Sequence, residues 1–168
     1  MVTIRPARAT DEAALRPIHL ATWTADVSPG PTPDPDEPLL EAATLADVLV
    51  ADCDGAVGGY VRLDQPGPLP SHAHVLVVNG LAVDPGRQGT GLGRALVSAA
   101  LDEARRRGAE KVTLRVLAPN ARARRLYEAC GFVVEGVLER EFLLDGRHVD
   151  DVFMAHHLGR RGRPPGGG

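Results

Sequence analysis

The stretch Leu81-Ala-Val-Asp-Pro-Gly-Arg-Gln-Gly-Thr-Gly-Leu-Gly-Arg-Ala-Leu-Val97 decides how the rest of the chain is read. It opens as an apolar strand, breaks at Asp84-Pro85-Gly86 and regains order as a helix near Gly91. Gly89, Gly91 and Gly93 stand at alternate positions, so no side chain obstructs the backbone there. Successive N–H groups in such a run converge on one anion, and the dipole of the following helix favours negative charge. The first expectation is a cradle for a diphosphate. The bland alternative is glycines that only let a helix pack close on a sheet. The spacing excludes two known versions of the cradle. A P-loop needs Gly-Lys-Ser/Thr, whereas Gly93 is followed by Arg94-Ala95. A dinucleotide site needs an acidic residue closing the second strand, and the second strand here, Lys111 to Leu117, runs into Ala118-Pro119-Asn120.

What the residues do match is Gln88-x-x-Gly91-x-Gly93 after an apolar strand, then Asn120, then Leu126-Tyr127-Glu128-x-x-Gly131-Phe132. This order resembles the GNAT superfamily of acetyl-CoA-dependent N-acetyltransferases. The resemblance runs from about Ile4 to Leu158 and is most specific between Asn79 and Phe132. It implies an α/β fold: a mixed, mostly antiparallel, splayed sheet of roughly six to seven strands flanked by about four helices. It also implies acetyl-CoA as co-substrate, with no metal. Acetyl-CoA would lie along Leu81, Ala82 and Val83, over Gln88, Gly89, Thr90, Gly91, Leu92, Gly93 and Arg94, and beside Asn120. The Tyr127 hydroxyl would sit near the sulfur as the catalytic acid; a packing tyrosine is the alternative. One of Arg122, Arg124 and Arg125, in the first turns of the helix after Asn120, would pair with the 3′-phosphate.

Composition sets the outer limits. At 168 residues the chain suits one domain over 1–158, followed by an Arg/Pro/Gly-rich tail over 159–168 that has no means of packing a core. Hydrophobic residues make up 43% but aromatics only 4%, so the core must rest on Leu, Val and Ala. A formal net charge of −3 gives no reason to expect a nucleic-acid partner. Cys53 and Cys130 lack metal-ligand spacing and read as small buried residues in a reducing compartment. No signal peptide or apolar run of membrane length is evident, which points to the cytoplasm and away from a membrane partner. Dimers are common in the family, and a homodimer stays open.

Along the chain, Val2–Arg5 reads as a first strand, and Thr10-Asp11-Glu12 opens a helix that passes through Pro17 and ends near Trp23. Trp23 is either core filler or a wall of the acceptor pocket. Ser28–Pro38 holds five prolines beside Asp34, Asp36 and Glu37. It is an extended acidic loop, and in the family this loop overhangs the acceptor site, where carboxylates attract a cationic amine. Glu41–Leu49 suggests a short second helix. Asp54-Gly55 and Asp145-Gly146 mark hairpins, Gly58-Gly59 a bulge or close backbone neighbour, and Ala73–Val83 a central strand splayed or bulged at Gly80.

Acetyl transfer to an amine needs a neutral amine, donors for the oxygen that gains charge, and help for the departing thiolate. The base is open among His72, His74, Asp150, Asp151, Glu139 and Glu141, with Asn79 able to orient water. The expected function is transfer of acetyl from acetyl-CoA to a primary amine, of a small molecule or a protein N-terminus, by direct attack in a ternary complex. A non-catalytic acyl-CoA-binding or regulatory module is the alternative. A nucleotide-binding domain is disfavoured by the missing acidic residue and the hairpin-rich C-terminal half.

Overall fold

A computed structural model describes residues 1–41 and 44–159. The tail over 160–168 lies outside the described residues. Seven strands form one sheet: β1 (Val2–Pro6), β2 (Val48–Cys53), β3 (Ala56–Asp64), β4 (Val75–Val83), β5 (Lys111–Leu117), β6 (Val133–Leu144) and β7 (Arg147–His157). Their order is β1-β2-β3-β4-β5-β7-β6. Every neighbouring pair is antiparallel except β4 and β5. The parallel pair needs a crossover, supplied by α2 (Leu92–Arg106). The remaining helices are α1 (Glu12–Thr22) and α3 (Ala121–Ala129).

Local chemistry accounts for the connections. In both hairpins the Asp and Gly at the turn have positive φ, 55° and 89° at Asp54-Gly55 and 48° and 75° at Asp145-Gly146. That is the pair of left-handed residues a two-residue hairpin requires. Gly58 is the extra residue where the β2–β3 register slips, and a Cβ on Gly59 would stand 2.5 Å from the Ala82 carbonyl oxygen. Both readings of Gly58-Gly59 therefore hold, a bulge and a close backbone neighbour.

The helices cover both faces. Along α2, Leu92, Leu96, Val97, Ala100, Leu101 and Ala104 turn to the sheet and join Val112, Leu114 and Met154 in the larger core. On the opposite face Leu15 and Ile18 of α1 pack with Val50, Tyr60 and Ala82. The N-cap at the start of α1 differs from the expected one. A 3-10 turn over Ala9–Asp11 precedes it, and Asp11 accepts from the Arg8 amide at 2.7 Å and from the Arg5 guanidinium at 2.8 and 2.9 Å.

Three α-helices stand among the described residues rather than about four. In place of the short helix expected over 41–49 there is a 3-10 turn, Leu45–Asp47, and residues 42 and 43 lie outside the described ones. Strand β2 begins immediately at Val48, and Arg107 ties the turn down by donating to Asp47 and to the Ala46 carbonyl. The last hairpin is bulged twice, and the second bulge carries Arg140 at φ 54°, its amide donated to Asp150.

The feature that positions the site is the parting of β4 from β5. They pair only over Val75–Val77 with Lys111–Thr113. Beyond that, β4 stays with β3 as far as Val83 and β5 stays with β7 as far as Leu117. A bulge on β4 at Asn79-Gly80, against a single residue of β3, turns the strand as it leaves.

Candidate active site

The gap between the strands is a cleft of about 440 Å³. Asn79–Ala82 of β4 form one side, Arg115–Leu117 of β5 the other, and Tyr127 of α3 and His19 and Trp23 of α1 reach it from opposite faces of the sheet. Trp23, at the C-cap of α1, is thus a cleft wall rather than core filler.

The turn from β4 into α2 is held by its own side chains. Asp84 accepts from the Gly86 amide at 2.9 Å, Thr90 donates its hydroxyl to the Arg87 carbonyl at 2.7 Å, and Gln88 donates its side-chain amide to the Val83 carbonyl at 3.2 Å. Gly89 and Gly91 have φ of 81° and 87°, and a Cβ at either would meet no atom within 4 Å. The first intrahelical bond runs from the Ala95 amide to the Gly91 carbonyl. Ahead of it, the amides of Gly89, Thr90, Gly91, Leu92, Gly93 and Arg94 donate to no protein group among the described residues. A run of orphan donors beside open space at a helix N-terminus fits an anionic phosphate. Gly93 differs from its neighbours: a Cβ there would stand 3.2 Å from Leu126 Cδ2, so it allows α2 to meet α3. The Leu92 and Ala82 side chains are core, and only their backbones are available to a ligand.

Asn120 caps α3, accepting from the Ala123 amide at 3.1 Å, and also lines the cleft. Arg122 donates to the Gln88 side-chain oxygen, Arg124 has a buried Nε without a partner among the described residues, and Arg125 is exposed. One turn on, Tyr127 is 7% exposed, with its ring edge-on to Phe132 at 5.7 Å. Its hydroxyl has no hydrogen-bond partner among the described residues, and burial, followed by Cys130, pushes its pKa up. Tyr127 therefore keeps its proton throughout the neutral range.

On the α1 side, His19 Nδ1 lies 2.7 Å from the Tyr60 hydroxyl, and its ring packs 5.3 Å from that of Trp23. Burial lowers the His19 pKa below the ordinary 6.5, with Glu12 opposing weakly; burial also pushes Tyr60 up to about 12. His19 is thus a neutral imidazole at pH 7. His19, Trp23, Tyr60 and Asn79 also line a second cleft of about 370 Å³, where Asp34 and Glu37 of the proline-rich loop face Arg16 and Arg62. Asn79 donates to Asp64 at 2.8 Å, which also accepts from Arg62.

The other side chains considered as bases are elsewhere. His72 and His74 line neither of these clefts, because β4 begins after them at Val75, at the end opposite the gap. Glu139 and Glu141 are exposed on β6, and Asp150 is taken by the Arg140 amide. Asp151 does reach the cleft, buried and paired with Arg115. His19, Tyr60 and Arg115 are cleft residues that the sequence did not single out. The His19–Trp23 spacing of one helical turn was the one available signal.

The chain is similar to known proteins over most of its length. The family model described as acetyltransferase (GNAT) family matches residues 13–132. The chain is 34% identical to the L-amino acid N-acyltransferase MnaT of Escherichia coli, over 97% of this chain and 98% of that protein. It is 33% identical to the L-methionine sulfoximine/L-methionine sulfone acetyltransferase of Salmonella typhimurium, again over 97% and 98%. Among solved structures, yncA from Salmonella typhimurium with acetyl-CoA superposes with a TM-score of 0.81 at 30% identity, covering 98% of each chain.

Proposed function

The chain belongs to the acetyltransferase (GNAT) family and is an acetyl-CoA-dependent N-acetyltransferase; from that premise we propose that a primary amine, held between His19 and Tyr127, attacks acetyl-CoA directly with both substrates bound. The observation that carries this reading is the run of six amides from Gly89 to Arg94 without a partner among the described residues, at the far end of the turn that leaves β4, whose Leu81 and Ala82 line the cleft with Tyr127. Those amides bind the diphosphate, and the unpaired edges of β4 and β5 receive the pantetheine arm as a strand would be received. Leu81–Val83 supply backbone groups, Gln88 braces the turn, and Asn120 lines the cleft mouth at the start of α3.

As the nitrogen–carbon bond forms, the carbon–sulfur bond breaks and the nitrogen loses one proton. His19 accepts it at Nε2 when Nδ1 carries the hydrogen donated to Tyr60. Tyr127 donates a hydrogen bond to the departing sulfur. Burial has made it a weaker acid than a free phenol, so it stabilises the thiolate rather than protonating it outright, and the sulfur gains its proton from solvent. Full-length similarity to two acyltransferases named for amino acids and amino-acid analogues supports a small-molecule acceptor over a protein N-terminus.

Calorimetric titration with acetyl-CoA, beside the same titration on Gly91→Glu, tests the cradle; thiol release over a panel of primary amines tests the transfer. Binding lost in the variant, with thiol release from the parent, is expected. No binding by the parent protein overturns the reading.

A further inference from the structure

The cleft holds one ion pair that the transfer chemistry leaves unused. Arg115 leaves β5 two residues beyond Thr113, the last partner of β4. Val112, Leu114 and Val116 belong to the core under α2 and α3, so Arg115 points to the other face, that of α1, His19 and Tyr60. Its Nε donates to Asp151 Oδ2 at 2.5 Å and its Nη2 approaches the same oxygen. Its guanidinium carbon stands 4.8 Å from the centroid of Phe153 and 5.9 Å from that of Phe142.

Asp151 is only 2% exposed, whereas the Arg115 side chain is 51% exposed. Burying a carboxylate that deeply requires a cation beside it. Nothing requires that cation to be half open to the cleft. A guanidinium clamped along one edge and stacked on aromatic rings loses little further freedom on meeting a ligand, and Nη1 has no partner among the described residues. The charged groups lining this cleft are Arg115 and its partner Asp151; the other titratable ones, His19, Tyr60 and Tyr127, are neutral at pH 7. The next cleft adds Asp34, Glu37 and Glu41, against Arg16 and Arg62, which are themselves paired with Glu12 and Asp64, so the remaining carboxylates draw the cationic form of an amine towards the site.

We propose that Arg115 is the acceptor's anion anchor. Its free guanidinium edge binds a carboxylate carried beside the amine, so the enzyme selects zwitterionic acceptors over plain amines. This rests on the acetyl-transfer reading above and adds a binding residue to it.

The test compares kcat/KM for leucine, leucinamide and isoamylamine, and for phenylalanine, phenylalaninamide and phenethylamine. Removing Arg115 alone strands a buried charge, so the variant is Arg115→Gln with Asp151→Asn, checked for folding by thermal unfolding, with Arg115→Lys as the conservative rescue. The wild type is expected to favour each carboxylate-bearing acceptor by about tenfold to a hundredfold. The double variant should erase that preference by raising KM for the amino acid, and Arg115→Lys should restore part of it. Equal loss on all three acceptors, or a wild-type preference for the amide or the amine, overturns the anchor while leaving acetyl transfer intact. Acetyl-CoA binding without turnover on any of them overturns the anchor as well. Failure of the acetyl-transfer reading shows separately, as absence of acetyl-CoA binding in the calorimeter.

Discussion

His19 and Tyr60 meet at 2.7 Å across the face of the sheet, joining the last turn of α1 to the middle of β3 where the two clefts adjoin. The contact fixes the imidazole ring by one nitrogen and leaves the other available. It also spans 41 residues of sequence.

With His19 as proton acceptor, kcat/KM rises with pH as the imidazole loses its proton. Because burial lowers its pKa, the midpoint of that acid limb should fall below 6.5. His19→Gln should lower kcat on the order of a hundredfold or more and abolish the limb, while the acceptor amine's own titration at higher pH remains. A pH–rate profile of the two proteins checks this, and a limb that persists in the variant rules His19 out.

Tyr127→Phe removes one hydroxyl that has no partner among the described residues. Its loss should leave thermal stability almost unchanged, since no internal hydrogen bond is broken. If the hydroxyl donates to the departing sulfur, kcat should fall by about two orders of magnitude with little change in acetyl-CoA affinity. Stopped turnover together with calorimetry separates the two effects. An unchanged kcat would make Tyr127 a packing residue.

Glu12 holds the proline-rich loop to α1. Its carboxylate accepts from the amides of Leu39 and Leu40 at 3.0 and 2.7 Å and from Arg16 at 2.9 Å. Burial works against the charge, but these donors outweigh it and hold the pKa below the usual carboxylate value; Asp11 beside Arg5 and Glu103 beside Arg106 are lowered as well. A group whose folded pKa is depressed contributes stability above its unfolded pKa and loses it as pH falls through the folded value. Stability should therefore hold down to about pH 4 and decline below it. Glu12→Gln should cost about 1–2 kcal/mol at neutral pH and flatten part of the acid decline, as urea unfolding at several pH values would show.

The parts of this molecule that were legible in the sequence are those governed by short-range rules. Asp54-Gly55 and Asp145-Gly146 demand left-handed backbone, the apolar run ending at Val83 demands burial, and Gly89 and Gly91 have the positive φ that glycine alone adopts freely. The acid–base partners were not legible in this way. His72 and His74 were closest in sequence to the central strand, yet that strand opens at its other end, towards Val83. His19 sits on the largely apolar face of a helix, and only the packing of α1 across β3 sets it against Tyr60. Asp151 was one of four carboxylates considered as a base on the last hairpin, and only its burial beside Arg115 distinguishes it from Asp150 next door. The acidic loop suggested a cation and left the complementary anion unread, because Arg115 reads as an ordinary exposed strand residue until its partner on β7 is known.

The parting of β4 from β5 bears on how this protein tolerates change. The vacant edges and the amides ahead of α2 belong to the main chain, and every residue but proline offers the same N–H and C=O. In the proposed reading, side chains at Leu81 or Val83 can change as long as the backbone path is kept, so recognition of the donor tolerates many point changes. Selection among acceptors rests instead, in the same proposed reading, on a few cleft side chains, His19, Trp23 and Arg115, each of which a single substitution removes. A protein divided in this way can exchange one substrate by a few substitutions while keeping the other.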